Sequence, residues 1–173
     1  MKKTLVSIII PTFNRANLIV ETLDSVLLQT YQHWECIIID DGSTDNTEYI
    51  VGNYLKKDSR FRYYHRPKNR LKGGNAARNY GFELCKGEYV NWFDSDDVMD
   101  PDFIKFKILK FKKEKETDAV ISKTAMFKDN IANIIGKENR TFLTDNTLQD
   151  FLKLKISWYL PDVMWRTVFL VEK

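Results

Sequence analysis

Two short runs of almost uninterrupted apolar, mostly β-branched residues, Val6-Ser7-Ile8-Ile9-Ile10 and Cys36-Ile37-Ile38-Ile39, constrain this chain more than any other feature. A strand that is apolar at nearly every position must be covered on both faces, as in a parallel sheet wrapped by helices. Helical spacing follows each run. Leu18, Ile19, Thr22, Leu23, Val26 and Leu27 predict an amphipathic helix over residues 16–29, and Pro11, which cannot donate to a ladder, is expected to end the first strand. Gly42-Ser43-Thr44 predicts a turn, with Thr44 as N-cap of a helix through Thr47, Ile50, Val51 and Leu55.

The alternation continues. Phe61-Arg62-Tyr63-Tyr64 reads as a third strand ended by Pro67, and Gly73-Gly74 leads into a helix over residues 76–85 that Gly87 closes. Residues 89–93 form a fourth strand. Pro101 then opens a helix expected to bury Phe103, Ile104, Phe106, Ile108, Leu109 and Phe111, and Ala119-Val120-Ile121 starts a fifth strand. Residues 128–140 read as a loop or irregular hairpin, residues 146–154 as a short capped helix, and residues 156–171 as an aromatic, apolar segment. Strands alternating with helices imply an α/β fold: a mostly parallel twisted sheet flanked by helices on both faces, with right-handed crossovers.

At 173 residues the chain supports one domain with a substantial core. Twenty-seven basic and 24 acidic residues nearly balance, which gives no argument for nucleic acid as a partner. Two cysteines make no disulfide framework and fit a reducing compartment. No apolar stretch has the length of a membrane span, so a cytoplasmic chain is expected, with contact at the inner face of the membrane left open. The lysine-rich residues 105–115 read first as a solvated helix face and second as a membrane-surface contact.

Chemistry concentrates where strands end. In such sheets ligands bind beyond the carboxyl ends of the strands, which places Pro11-Thr12, Asp40-Asp41 and Asp94-Ser95-Asp96-Asp97 along one edge, in one cleft. Carboxylates crowded there repel one another, and a cation or ligand hydrogen bonds offset that cost. Hard ions such as Mg²⁺ or Mn²⁺ take carboxylate oxygens and keep positions for phosphate. The plainer reading of the acids is capping and turn chemistry: Asp and Ser suit N-caps before Pro101, and Asp41-Gly42 suits a turn. Arg78, near the start of a helix after a Gly-Gly loop, has the place and charge to meet a diphosphate, although a lone arginine is more often a surface residue. His33 and His65 lack metal-ligand spacing.

Four motifs in order, residues 7–15 (SIIIPTFNR), 39–45 (IDDGSTD), 74–79 (GNAARN) and 93–97 (FDSDD), closely resemble the family 2 glycosyltransferases. The resemblance implies the GT-A fold, a nucleotide-diphospho-sugar donor, usually a UDP-sugar, and transfer with inversion to a saccharide or lipid-linked saccharide acceptor. It implies that Pro11, Thr12, Asn14, Asp40, Asp41, Gly74, Arg78 and Asp94 serve the donor. Asp96 and Asp97, in a DXD-like segment, are the implied ligands of Mg²⁺ or Mn²⁺. Residues 5–125 would be the nucleotide-sugar portion and residues 126–173 an incomplete acceptor-side portion. The family's catalytic carboxylate usually lies in a later acidic motif, for which Asp162 and Glu172 are poor substitutes. A truncated catalytic domain is therefore expected, with its base beyond Lys173.

Two other classes compete. A receiver-like phosphoacceptor domain also gathers acids at strand ends and would cast Lys123 as its lysine, but its acidic pair follows the first strand and here Asp40-Asp41 follow the second. A non-catalytic sugar-nucleotide-binding module would bind without turnover. No G-x-G-x-x-G follows the first strand, and no Walker A segment is present.

Overall fold

A computed structural model of the chain describes residues 4–137 and 157–171. Four parallel strands, β1 (Val6–Thr12), β2 (Trp34–Asp40), β3 (Phe61–His65) and β4 (Tyr89–Trp92), alternate with helices α1 (Ile19–Leu27), α2 (Thr47–Lys57) and α3 (Gly74–Leu84). Helix α4 (Phe103–Lys113) and strand β5 (Ala119–Ile121) follow, then a separate antiparallel hairpin of β6 (Ala125–Lys128) and β7 (Asn130–Lys137). A short 3-10 turn (Leu160–Asp162), strand β8 (Val163–Arg166) and the five-residue α5 (Thr167–Val171) end the described chain. The main sheet has the order β3-β2-β1-β4-β8-β5, with β8 antiparallel to both neighbours.

Both faces of the sheet are covered, as the apolar runs demand. Ile8, Ile10, Cys36 and Ile38 face a core completed by α1, α2 and α4, including Leu23, Val51, Ile104, Ile108 and Phe111. Ile37 and Ile39, of opposite parity, pack with Ala77, Tyr80 and Leu84 of α3. From β1 the order runs through β2 to β3 on one side and jumps to β4 on the other. The strand ends of β1 and β4 therefore flank a topological switch point, the place where an open α/β sheet leaves a crevice.

Several boundaries depart from the sequence reading. Strand β1 runs through Pro11 to Thr12, paired with Ile39 and Asp40. Phe93 N–H donates to Ile9 O, so Pro11, two residues on, turns its missing donor toward the side where β4 has already ended. Helix α1 begins at Ile19 because Arg15 to Leu18 form a turn in which Arg15 O accepts from Leu18 and Ile19. Thr44 is not a cap: its N–H donates to Asn14 Oδ1, while Asp45 Oδ1 accepts from Thr47 N and Oγ1 at the start of α2. Gly87 does not close α3, which ends at Leu84; it lies where a Cβ would stand 2.6 Å from Ser7 N.

The largest difference is the rotation of α4. Ile104, Lys107, Ile108 and Phe111 face the core, and Phe106 and Leu109, expected inside, are 62% and 51% exposed. Six apolar residues spread around one helix cannot all face one sheet, and the arc with Ile104, Ile108 and Phe111 makes the contact. Lys107 is carried in with that arc. Its Nζ donates to the carbonyls of Val120 and Asp162, and burial pulls its pKa down to about 7. Residues 128–140 are resolved in favour of a hairpin as far as Lys137, and the helix expected over residues 146–154 lies outside the described residues.

Candidate functional site

Beyond the ends of β1, β2 and β4 lies an open cleft of about 340 Å³, lined by Pro11, Thr12, Phe13, Arg15, Asp41, Gly74, Arg78, Asp94, Ser95 and Asp96. Register explains the convergence. Thr12 pairs with Asp40, Asp41 N–H donates to Thr12 O at 2.9 Å, and Phe93 N–H donates to Ile9 O at 2.9 Å, so the residues leaving three strands reach the same rim.

Each acid on this rim meets an arginine. Asp94 Oδ1 accepts from Arg78 Nη2 at 2.6 Å, Asp96 lies 3.4 Å from Arg15 Nη2, and Asp41 pairs with the buried Arg66. Asp41 Oδ2 also accepts from Gly73 N at 2.8 Å, which fixes the loop entering α3. Gly73 has φ of 126°, a conformation that L side chains resist, and a Cβ on Gly74 would stand 3.0 Å from Arg78 Nη1. The two glycines thus let the first turn of α3 and the Arg78 guanidinium approach the acids. That turn brings backbone N–H groups and the positive end of the helix dipole to the rim.

Asp97 is the exception. Among the described residues it has no ion-pair partner, and burial, then the charges of Asp94, Asp96 and Asp162, push its carboxyl up to about 6. Among the described residues two cleft atoms are buried without a hydrogen-bond partner, Thr12 Oγ1 and Arg78 Nε. Buried polar atoms are nearly always satisfied, so such atoms lining a cleft are places for a ligand to bond.

Of the residues expected to act together, Pro11, Thr12, Asp41, Gly74, Arg78, Asp94 and Asp96 line the cleft. Asp40, Asn14 and Asp97 do not. Asp40 is 1% exposed; its Oδ1 accepts from Gly42 N and Ser43 N, and its Oδ2 accepts from Tyr63 Oη at 2.6 Å. It builds the loop that presents Asp41. Asn14, at φ of 52°, pins that loop to the end of β1, accepting from Thr44 N and donating its own N–H to Ser43 Oγ. Asp162 is buried, accepts from Thr124 Oγ1 and from Tyr159 N, and so is held as part of the wall before β8. Asn91 reinforces that wall, its Nδ2 donating to the carbonyls of Pro161 and Val163.

Arg15 and Arg66 escaped the sequence reading as site residues. Arg15 follows the end of β1 by three positions and Arg66 directly follows β3, and arginines so placed are the natural counter-ions for acids at neighbouring strand ends.

An open, mostly parallel α/β sheet with an acid-and-arginine cleft at its switch point is of the GT-A fold class, whose solved structures this chain matches. The chain belongs to glycosyltransferase family 2: the Glycosyl transferase family 2 model matches residues 7–169. TuaG of Bacillus subtilis (strain 168), provisionally named a teichuronic acid biosynthesis glycosyltransferase, is 42% identical over 113 residues, covering 65% of this chain and 44% of that protein. TarS of S. aureus, residues 1–349 in complex with UDP-GlcNAc, superposes with a TM-score of 0.77 at 24% identity, covering 96% of this chain and 46% of the other. Mannosyltransferase PcManGT from Pyrobaculum calidifontis, in complex with GDP-Man and Mn²⁺, gives a TM-score of 0.71 at 19% identity over 99% of this chain and 47% of the other. The chain spans 15% to 44% of the length of the curated relatives it matches.

Proposed function

We propose that this chain forms the donor-binding part of an inverting glycosyltransferase. Its donor is a nucleotide-diphospho-sugar, UDP-linked in our reading. The acceptor is a hydroxyl of a saccharide or lipid-linked saccharide, in the synthesis of surface polysaccharide or glycoconjugate. The observation that carries this reading is the convergence of Asp41, Asp94, Asp96, Arg15 and Arg78 in one cleft at the switch point. Similarity to TuaG, and the UDP-GlcNAc and GDP-Man bound by the two structural neighbours, support it.

Pro11, Thr12 and Asp41 take the nucleoside, with a free lone pair of the Asp41 carboxylate accepting the imide N–H of the base. Arg78 exchanges Asp94 for the diphosphate, and its unpartnered Nε supplies a second donor. The carboxylates of Asp94, Asp96 and Asp97 suit a hard divalent ion, because Asp97 stands uncompensated among like charges. Among the described residues no three acidic, histidine or cysteine side chains form a protein cage. Mg²⁺ or Mn²⁺ needs none where phosphate and water complete its shell. Asp96 and Asp97 would hold it, and when bound it supplies positive charge to the departing diphosphate. Inversion further needs a base at the acceptor hydroxyl, on the sugar face opposite the leaving group; we do not assign Asp162 that role, because it is buried and held by Thr124 Oγ1 and Tyr159 N in the wall before β8.

Among the described residues no helix is long and apolar enough to cross a membrane, and both cysteines are free thiols, which supports work in the reducing cytoplasm. Calorimetric titration with UDP, GDP and NAD, with and without Mn²⁺, tests the reading. Mn²⁺-dependent binding of UDP that Asp96→Ala removes is expected; indifference to all three ligands overturns it.

A further inference from the structure

Helix α4 presents to solvent a face that neither the sheet nor the cleft uses. With about 3.6 residues per turn, Lys105, Phe106, Leu109, Lys110, Lys112 and Lys113 share one arc, opposite the buried Ile104, Lys107, Ile108 and Phe111. Phe106 and Leu109 lie side by side at the centre of that arc, 62% and 51% exposed, with lysines on every side. The helix holds five lysines and no acid, although the whole chain carries a net charge of only +3, so the rest of the chain is net acidic. Helix α4 is therefore a locally basic surface, carrying five of the chain's 27 Lys and Arg residues without an acid of its own.

We propose that the outer face of α4 docks on an anionic lipid bilayer. The four outward lysines meet headgroup phosphates while Phe106 and Leu109 enter the boundary between headgroups and acyl chains. Charge complementarity selects this occupant. Flexible ammonium groups spread around an apolar pair match a fluid anionic surface into which the pair can sink. A nucleic-acid face would favour arginine forks and stacking aromatics in a groove, and this convex face has no arginine and a single aromatic ring. The ion pairs of Lys105 with Asp102 (3.2 Å) and Lys110 with Glu114 (2.7 Å) are solvent-exposed, so they release their lysines to a stronger anionic surface at little cost.

The inference is independent of the nucleotide reading, because vesicle binding needs no donor. It is tested by flotation of the chain with phosphatidylcholine vesicles, with and without phosphatidylglycerol, at low and high salt. Binding to the anionic vesicles that weakens with salt is expected. The Lys110→Glu/Lys113→Glu variant should lose on the order of fivefold in partition for each lysine removed, or more. Phe106→Ser/Leu109→Ser should leave a purely salt-sensitive remnant. All four positions are exposed, and unchanged thermal melting confirms that the fold persists. The proposal is overturned if the wild-type chain ignores anionic vesicles, if the variants partition as it does, or if single-stranded RNA outcompetes the vesicles. It is equally overturned if the apolar variant abolishes self-association in solution without changing vesicle binding.

Discussion

Arg78 Nη2 donates to Asp94 Oδ1 at 2.6 Å, joining the first turn of α3 to the residue that follows β4 across the switch point. In the proposed function this ion pair is the one that opens, Arg78 turning to the diphosphate as Asp94 meets the positive charge of the cation site. Arg15 with Asp96 repeats the arrangement at the rim.

Replacing Arg78 with Ala is expected to weaken UDP binding about 10- to 100-fold while leaving uridine binding within about threefold, since a charge-assisted hydrogen bond contributes roughly 1.5–3 kcal/mol. Arg78→Lys should recover only part of this, because an ammonium lacks the planar fork. Calorimetry with both ligands reads the difference, and equal losses for UDP and uridine would place Arg78 at the nucleoside instead.

Asp97 makes stability depend on pH. Folding raises its carboxyl to about 6, above the ordinary value of about 4, so between these values the folded chain keeps a proton that the unfolded chain has lost. Its stabilising contribution is complete below pH about 4 and is lost as pH rises through about 6. Asp97→Asn should therefore melt at a higher temperature than the wild type above pH about 7 in the presence of a chelator, with the advantage gone below about 4. Thermal melts across that range measure it. Mn²⁺ should raise the melting temperature of the wild type more than that of the variant.

The neighbouring acids Asp40 and Asp41 are both held by structural contacts, but only Asp41 lines the cleft, so a direct effect on ligand binding is expected of Asp41 alone. Asp40→Ala strips the partner from Tyr63 Oη and from the N–H groups of Gly42 and Ser43, and is expected to cost about 2–4 kcal/mol of stability in urea denaturation. Asp41→Ala, at the cleft, should cost UDP affinity, and because it also strips the partner from Arg66 and Gly73 N it should cost stability as well. If Asp40→Ala leaves stability untouched, the loop is not held as described.

At Gly87 a side chain has no room, since an added Cβ would lie 2.6 Å from Ser7 N and 2.7 Å from Tyr89 O. Gly87→Ala should destabilise by about 1–3 kcal/mol through overpacking. Gly52→Ala, within α2 and with nothing within 4 Å of its added Cβ, should stabilise by up to about 1 kcal/mol. Denaturant midpoints of the two variants, moving in opposite directions, check the pair.

Periodicity in the sequence was enough to place β1 through β5 and their helices, because burial on both faces leaves a continuous apolar run and burial on one leaves a helical stripe. The acids at the ends of β2 and β4 were legible as one cleft for the same reason: a parallel sheet brings its carboxyl ends to one edge whatever their separation in the chain. Tertiary structure decided the rest. Asp40 and Asp41 look equivalent in one dimension, yet successive side chains leave a strand in opposite directions, so one is buried under Tyr63 and the other opens on the cleft. Six apolar residues on α4 gave no single face, and only packing against the sheet chose the arc that took Lys107 inside and left Phe106 and Leu109 outside. The insertion of β8 between β4 and β5, and the meeting of Arg15, Arg66 and Arg78 with their acids, are contacts between segments far apart in the chain. No local pattern encodes such contacts, because they are selected only when the whole core closes.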